Sequence, residues 1–214
     1  MNRQFIFPVG TRLIASLRGE PYEARRAREI APLLAQADFV LDIHSTLKPS
    51  VPFVYLKNTP RHLRLASVLQ TKYIVSSDPV LQKSDLEKCI DRFVDEQGGI
   101  GMTYESGWHQ EKNQEQHVLQ KVQHFLKATG VAFHSLEVPS VHQSTHLVVY
   151  KQLRANTDRF RFTSDFINFD RLKKGERLAK DGDQPVIVDR NSFLLFPKKE
   201  IQKSGIACYL ATPF

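Results

Sequence analysis

The alternation of strand and helix signals over residues 1–138 constrains the fold of this chain more than any other feature. Short apolar runs, which are typical of strands, occur at 39–44, 52–56, 72–76 and 98–107. The segments between them carry apolar residues at helical spacing, together with residues that cap helices. Strands that alternate with helices predict an α/β domain, with a mostly parallel or mixed sheet flanked by helices.

The pattern changes after residue 138, where a polar segment with a proline leads into short strands separated by turn residues. The strand-like runs of this part are HLVVYKQLRA, RFRFTSDFINF, QPVIVDR, FLLFP and ACYLATPF. Such a series predicts a small all-β domain over residues 139–214. The domain boundary is therefore expected between residues 138 and 139.

Composition narrows the class of protein. The 214 residues are 41% hydrophobic and 25% charged, as in ordinary soluble globular proteins. No run approaches the roughly 18 apolar residues of a membrane span. The N-terminus lacks a signal-peptide pattern, and Cys89 and Cys208 are the only cysteines. We therefore expect a cytoplasmic protein with no membrane partner.

The net charge of +7 is unevenly distributed along the chain. Residues 151–214 contain 13 Lys and Arg against 8 Asp and Glu, so this part is the more basic one. Such a region can bind nucleic acid, attract an anionic substrate or form a solvated surface. The alternation of Arg and Phe in RFRF at 159–162 is also what a half-buried strand produces. We expect a solvated basic surface and no nucleic acid as partner.

Two of the predicted strands end in polar side chains that can do chemistry. One ends in DIH at 42–44, and the other ends in YESG at 104–107. Ligands of open α/β sheets bind beyond the carboxyl ends of strands. Asp42 and His44 share a face of their strand, so Asp42 could orient an imidazole that binds zinc. Glu105, at a neighbouring strand end, could act as general base on a metal-bound water.

Each of these signals also has a simpler interpretation. His44 could be an ordinary loop residue after a strand, and Glu105 could belong to a turn. The H-x-x-E spacing of HSLE at 134–137 and the four-residue spacing of His142 and His146 lack the helical setting that would bring their side chains together. The remaining histidines are expected at the surface: His62, His109, His117 and His124.

The order of four short motifs provides a stronger argument than any one of them. The motifs are N-R-x-F at 2–5, E-x-R-R-A at 23–27, D-x-H-S-T at 42–46 and T-x-E-x-G at 103–107. Followed by a small β domain, this order resembles the succinylglutamate desuccinylase/aspartoacylase family over essentially the whole chain. Members of that family are zinc-dependent hydrolases with a carboxypeptidase-like α/β fold. The resemblance implies that the substrate is a small-molecule N-acyl amino acid, whose amide bond is cleaved.

The resemblance also implies roles for four residues. His44 matches the family's third zinc ligand, and Glu105 matches the catalytic glutamate that activates water and then protonates the leaving amine. Asn2 and Arg3 match the pair that holds the substrate, where a planar guanidinium suits a carboxylate. Zinc is therefore the expected cofactor, and the β domain is expected to narrow the entrance and help select the substrate.

The other two zinc ligands of the family lie upstream of N-R-x-F, in an H-x-x-E motif, whereas N-R-x-F here begins at residue 2. The expected fold is therefore N-terminally truncated, and the chain as given is expected to bind zinc weakly or not at all. Three alternatives remain. The sequence is a fragment or has a start codon assigned too late; it is a truncated relative that binds a ligand or protein without hydrolysing it; or another chain completes its site in a homo-oligomer.

Overall fold

The computed structural model describes residues 22–77, 89–131 and 143–214 of the chain. The described residues contain four helices, which are α1 (Tyr22–Leu34), α2 (Pro60–Ser67), α3 (Ile90–Glu96) and α4 (Gln114–Ala128). Their strands are β1 (Phe39–Thr46), β2 (Phe53–Leu56), β3 (Tyr73–Ser77), β4 (Ile100–Trp108), β5 (Thr145–Arg154), β6 (Phe160–Phe162), β7 (Arg171–Leu172), β8 (Arg177–Asp181), β9 (Gln184–Ile187), β10 (Ser192–Leu195) and β11 (Ile206–Pro213).

The helices begin and end where local chemistry favours it. Thr59 is the N-cap of α2, where its side-chain oxygen accepts a hydrogen bond from the backbone N–H of His62 at 3.4 Å. Pro60 occupies the first turn of this helix, as the sequence predicts. Helix α1 contains Pro32 and ends two residues later, at Leu34. None of the described helices is long and apolar enough to cross a lipid bilayer.

Eight of the described strands form one mixed sheet in the order β1-β4-β2-β3-β5-β11-β10-β7. The pairs β1–β4, β2–β3 and β3–β5 are parallel, and the other neighbours are antiparallel. The predicted class, an α/β fold with a mostly parallel or mixed sheet flanked by helices, is therefore confirmed. Strand β4 lies between β1 and β2, although it follows both of them in the sequence.

Helices cover both faces of the sheet. Because side chains alternate along a strand, Ile100, Met102 and Tyr104 of β4 lie on one face. They join a buried cluster that also contains residues of α2 and α4. Helices α1 and α3 form a second cluster, which includes Val40 of β1 and therefore lies on the opposite face. That opposite face also carries Asp42 and His44, so the candidate site shares a face with α3.

The described residues after 142 form strands and no helix, but most of these strands extend the main sheet. Strands β5, β11, β10 and β7 continue it without a break across the predicted boundary at residues 138 and 139. Three further strands form a second, small sheet in the order β6-β8-β9. The small sheet packs on the main one through buried residues such as Phe160 and Leu178. The RFRF run contains β6, which agrees with its interpretation as a half-buried strand.

Candidate functional site

Strands β1 and β4 bring His44 and Glu105 together at their carboxyl ends. In the parallel register of these strands, Asp42 pairs with Thr103 and His44 pairs with Glu105. Paired residues on neighbouring strands are about 4.8 Å apart and point to the same face of the sheet. The imidazole of His44 and the carboxyl group of Glu105 are therefore close enough for one water molecule to contact both.

A glycine in β4 lets helix α3 pack closely over this face. A Cβ atom at Gly101 would lie 2.2 Å from the backbone oxygen of Asp91, so only glycine fits there without displacing the helix. The close approach places Asp91, in the first turn of α3, beside the site. Asp91 is buried, and burial raises its pKa to about 6.

Asp42 orients the ring of His44. Its Oδ2 atom lies 3.0 Å from Nε2 of His44, within hydrogen-bond distance. This hydrogen bond raises the pKa of His44 above its ordinary value, although partial burial acts in the opposite direction. The half-buried imidazole is thus held in one orientation by a carboxylate, an arrangement that is common for metal-binding histidines.

Glu105 is a buried carboxyl group whose hydrogen bonds are incomplete. The residue is 7% exposed, and its Oε2 atom has no hydrogen-bond partner among the described residues. Burial raises the pKa of Glu105 to about 7, while the nearby charge of His44 opposes this effect. A buried oxygen without a partner is costly, and such positions in proteins commonly bind a ligand or take part in catalysis.

A cavity of about 570 Å³ lies in front of these groups and is large enough for a small organic molecule. Its walls come from β1, β2, β4, α3 and β11 and from the segments before β7 and after β10. The polar residues that line it are His44, Ser45, Thr46, Lys48, Tyr55, Cys89, Asp91, Thr103, Glu105, Asn168, Lys198, Lys199, Glu200 and Tyr209.

The segment before β7 closes one side of the cavity. The backbone N–H of Asn168 donates to the carbonyl oxygen of Pro49 at 3.3 Å, which ties this segment to the loop after β1. Its side-chain Oδ1 accepts a hydrogen bond from the backbone N–H of Phe196 at 2.6 Å. These bonds tie the segment before β7 to the loop after β1 and to the end of β10.

Sequence reasoning did not select Lys48, Tyr55, Asp91 or Asn168 as site residues. Lys48 carries a local signal, because it lies in the loop directly after the strand that carries His44 and follows that residue by four positions. Tyr55 and Asp91 lie in a predicted strand and helix, where nothing local distinguishes a site residue from a core residue. Asn168 carries no signal at all, since only the return of the chain from the small sheet places it there.

The remaining predicted residues have different positions. Asn2 and Arg3 lie outside the described residues, as do residues 134–137 and His142. His146 lies in β5, where its Nε2 is 2.9 Å from Oγ of Ser76. The prediction that His62 is a surface residue is wrong. It is buried and bonded to both Asp95 and Thr59, at 2.7 Å each.

His44 fits a zinc ion as one ligand, but the described residues do not assemble a complete site. Catalytic zinc sites use three protein ligands and leave one position for water. No group of three or more His, Cys, Asp and Glu side chains in the described residues could hold a metal ion. The oriented imidazole of His44 and the unbonded oxygen of Glu105 are the two features that suit a hydrolytic zinc centre.

Comparison with known proteins gives matches to solved structures alone. No family model matches the sequence, and no curated protein matches it significantly. A succinylglutamate desuccinylase structure from Vibrio parahaemolyticus matches 99% of this chain at 15% identity, with a TM-score of 0.73. A succinylglutamate desuccinylase structure from Vibrio cholerae matches 99% of this chain at 16% identity, with a TM-score of 0.76. A succinylglutamate desuccinylase/aspartoacylase from Rhodobacter sphaeroides matches 99% at 15% identity, with a TM-score of 0.70.

This chain has the fold of the succinylglutamate desuccinylase/aspartoacylase proteins. The resemblance inferred from the four motifs is therefore confirmed for the fold. The chain spans 64% of each Vibrio structure and 68% of the Rhodobacter structure. At identities this low the likeness does not transfer an activity, so function depends on the site itself.

Proposed function

We propose that this chain belongs to a zinc-dependent hydrolase that cleaves the amide bond of an N-acyl amino acid. The observation that carries the proposal is the pairing of His44 with Glu105 on one face of the sheet, at the wall of one cavity. The shared fold with succinylglutamate desuccinylases and aspartoacylases supports the same reaction class.

Glu105 is the general base and then the general acid of this reaction. Its carboxylate takes a proton from the attacking water and later gives a proton to the nitrogen of the leaving amine. The Oε2 atom, which lacks a partner among the described residues, is the atom that suits this role. A pKa of about 7 matches proton transfer in both directions near neutral pH.

His44 supplies one zinc ligand in this proposal, and Asp42 holds the ring in place. When bound, zinc polarises the amide carbonyl and lowers the pKa of a water molecule. Because a ligating nitrogen must be free of its proton, zinc binding requires the neutral form of the His44 ring. Asn2 and Arg3 are proposed to hold a carboxylate of the substrate through the planar guanidinium.

Hydrolysis of N-acyl amino acids by the zinc-supplemented chain tests the role of Glu105. If the zinc site is completed, the chain should turn over at least one member of a panel of N-acetyl and N-succinyl amino acids. Glu105→Gln should lower kcat by about 100-fold or more, because the amide cannot accept a proton. Glu96→Gln, at an exposed glutamate of α3, serves as the matched control and should leave kcat unchanged. Equal rates in wild type and Glu105→Gln would refute the assignment of Glu105.

Metal content tests the role of His44 separately from turnover. If the given chain or a second copy of it completes the site, the zinc-loaded wild type should retain about one ion per chain after dialysis, and His44→Ala should lose it. Retention of the same amount of zinc by His44→Ala would show that the ion binds elsewhere.

A protein that binds a ligand without hydrolysing it is the second candidate function. The observation that favours it is that the described residues contain no group of three metal ligands. This candidate predicts no bound zinc and no turnover, together with measurable binding of N-acyl amino acids by calorimetry. Turnover that depends on Glu105 would exclude it.

A further inference from the structure

The cavity is lined by both acidic and basic side chains, and the lysines among them have no part in the proposed hydrolysis. Glu105, Asp91 and His44 line it. Lys48, Lys198 and Lys199 also line the cavity, together with Glu200. The side chains from 198 to 200 belong to exposed residues, so water solvates their charges. Lys48 differs from them because it is buried.

The burial of Lys48 is unusual for its residue type. Lysine is 8% exposed at this position, whereas lysine side chains in proteins are almost never buried unless they are paired. The loop that carries it is held firmly, since the Thr46 hydroxyl donates to the carbonyl oxygen of Lys48 at 2.7 Å. The backbone that carries this charged side chain is thus fixed at the wall of the cavity that contains His44 and Glu105.

The counter-ion of Lys48 is placed so that a ligand can replace it. Within the described residues the ammonium group forms an ion pair with Asp165, whose side chain is 87% exposed. Water can solvate a carboxylate that is so exposed, so Asp165 needs no other partner when a ligand carboxylate takes its place at Lys48. An ammonium group has three N–H donors, and one bond to Asp165 leaves two of them for another acceptor.

We propose that Lys48 determines specificity by binding a second carboxylate of the substrate in the cavity that also contains Glu105. This inference rests on the proposed function, in which Glu105 acts at the amide and Arg3 holds the first carboxylate. The second carboxylate lies either on the acyl chain or on the side chain of the amino acid. Both sources present the same chemistry to Lys48, and matched probes distinguish them.

Binding affinities measured by calorimetry test the proposal without requiring turnover. The measurements use the full chain with Glu105→Gln, so that no probe is hydrolysed. One probe pair is N-succinyl-L-alanine and its terminal amide, N-succinamoyl-L-alanine. The other pair is N-acetyl-L-aspartate and N-acetyl-L-asparagine. Lys48→Met removes the charge and keeps the length of the side chain, and Lys174→Met alters an exposed lysine as matched control.

We expect Lys48→Met to weaken binding of the acid in one pair by about 30-fold, as for the loss of a hydrogen bond to a charged group. Binding of the matching amide should change by less than about 3-fold. The affected pair identifies the source of the carboxylate, and Lys174→Met should change neither. Any of three results would overturn the proposal. These are equal losses for acid and amide in both pairs, unchanged affinities, and no preference of the Glu105→Gln protein for either acid over its amide.

Asp165→Asn separates substrate recognition from a structural ion pair, and it applies even if Lys48→Met does not fold. If Lys48 binds substrate, removing its competing counter-ion should leave the affinity for the acid unchanged or increase it. If the pair is structural, Asp165→Asn should instead weaken binding of acid and amide alike, which would contradict the proposal. If only the proposed hydrolysis is wrong, binding will still depend on Lys48, but the chain that retains Glu105 will show no turnover. The two failures are therefore distinguishable.

Discussion

Two buried acids in different parts of the molecule have opposite properties. Glu105, at the end of β4, is 7% exposed, and Asp181, at the end of β8, is 5% exposed. The oxygens of Asp181 accept hydrogen bonds from the backbone N–H groups of Asn156 and Thr157 and from the Thr157 hydroxyl, at 2.6, 3.0 and 2.7 Å. Glu105 Oε2 has no such partner in the described part of the chain.

The pKa values follow from this difference in hydrogen bonding. Burial would raise the pKa of Asp181, but the hydrogen bonds from Thr157 and Asn156 hold it below its ordinary value. Burial of Glu105 raises its pKa to about 7, since few donors stabilise the charged form. A buried acid therefore does not indicate a functional site by itself. Asp181 stabilises a turn at the small sheet, whereas Glu105 Oε2 lacks a hydrogen-bond partner among the described residues and is the acid assigned to the proposed reaction.

The largest expected effect is on the free energy of unfolding, through the packing of α3 on β4 that places Asp91 at the cavity. Gly101→Ala should lower the free energy of unfolding by about 3 kcal/mol, because its Cβ would meet the backbone of Asp91 and force α3 to move. Urea denaturation measures this change. Gly175→Ala is the control, since Gly175 has a φ of +84° but open space around its Cβ position, and it should cost about 1 kcal/mol. Equal costs would mean that α3 does not depend on this contact.

The second prediction concerns the pH dependence of stability at Glu105. Its pKa is about 7 in the folded protein and 4.5 ordinarily, so the folded state binds the proton more tightly. The stabilising contribution is complete below pH 4.5 and is lost as the pH rises through about 7. In metal-free protein, the stability of wild type relative to Glu105→Gln should fall by roughly 3 kcal/mol between pH 4.5 and about 8. A difference independent of pH would contradict the assigned environment.

The third prediction concerns Asp181, whose loss leaves two backbone donors and one hydroxyl without their acceptor. Asp181→Ala should lower the free energy of unfolding by roughly 2 kcal/mol near neutral pH. Its neighbour Asp183 provides a matched control, because its ion pair with Arg159 is exposed on both sides. Asp183→Asn should change stability by less than about 0.5 kcal/mol. If both variants behave alike, the contrast between Asp181 and Glu105 loses its basis.

Local patterns predicted the elements of the fold well where the pattern was periodic. The strands that became β1 to β4 and the helices that became α2 and α4 were found within a few residues of their observed bounds. The short strands β7 and β8 were not distinguished, because Arg171–Leu172 and Arg177–Asp181 are too brief or too mixed in character to show alternation. The continuity of the main sheet across residue 138 was also missed, since pairing between distant strands leaves no local mark.

The sequence by itself determined that acid and imidazole groups stand at strand ends, because alternation and glycine placement are local properties. It selected Asp42, His44 and Glu105 on that ground and through the resemblance to a family. Only the tertiary structure decided that β4 lies beside β1, so that Glu105 pairs with His44. It also decided that Lys48 and Asn168 line the same cavity. These contacts depend on backbone pairing and loop packing between distant segments, which no short stretch of sequence encodes.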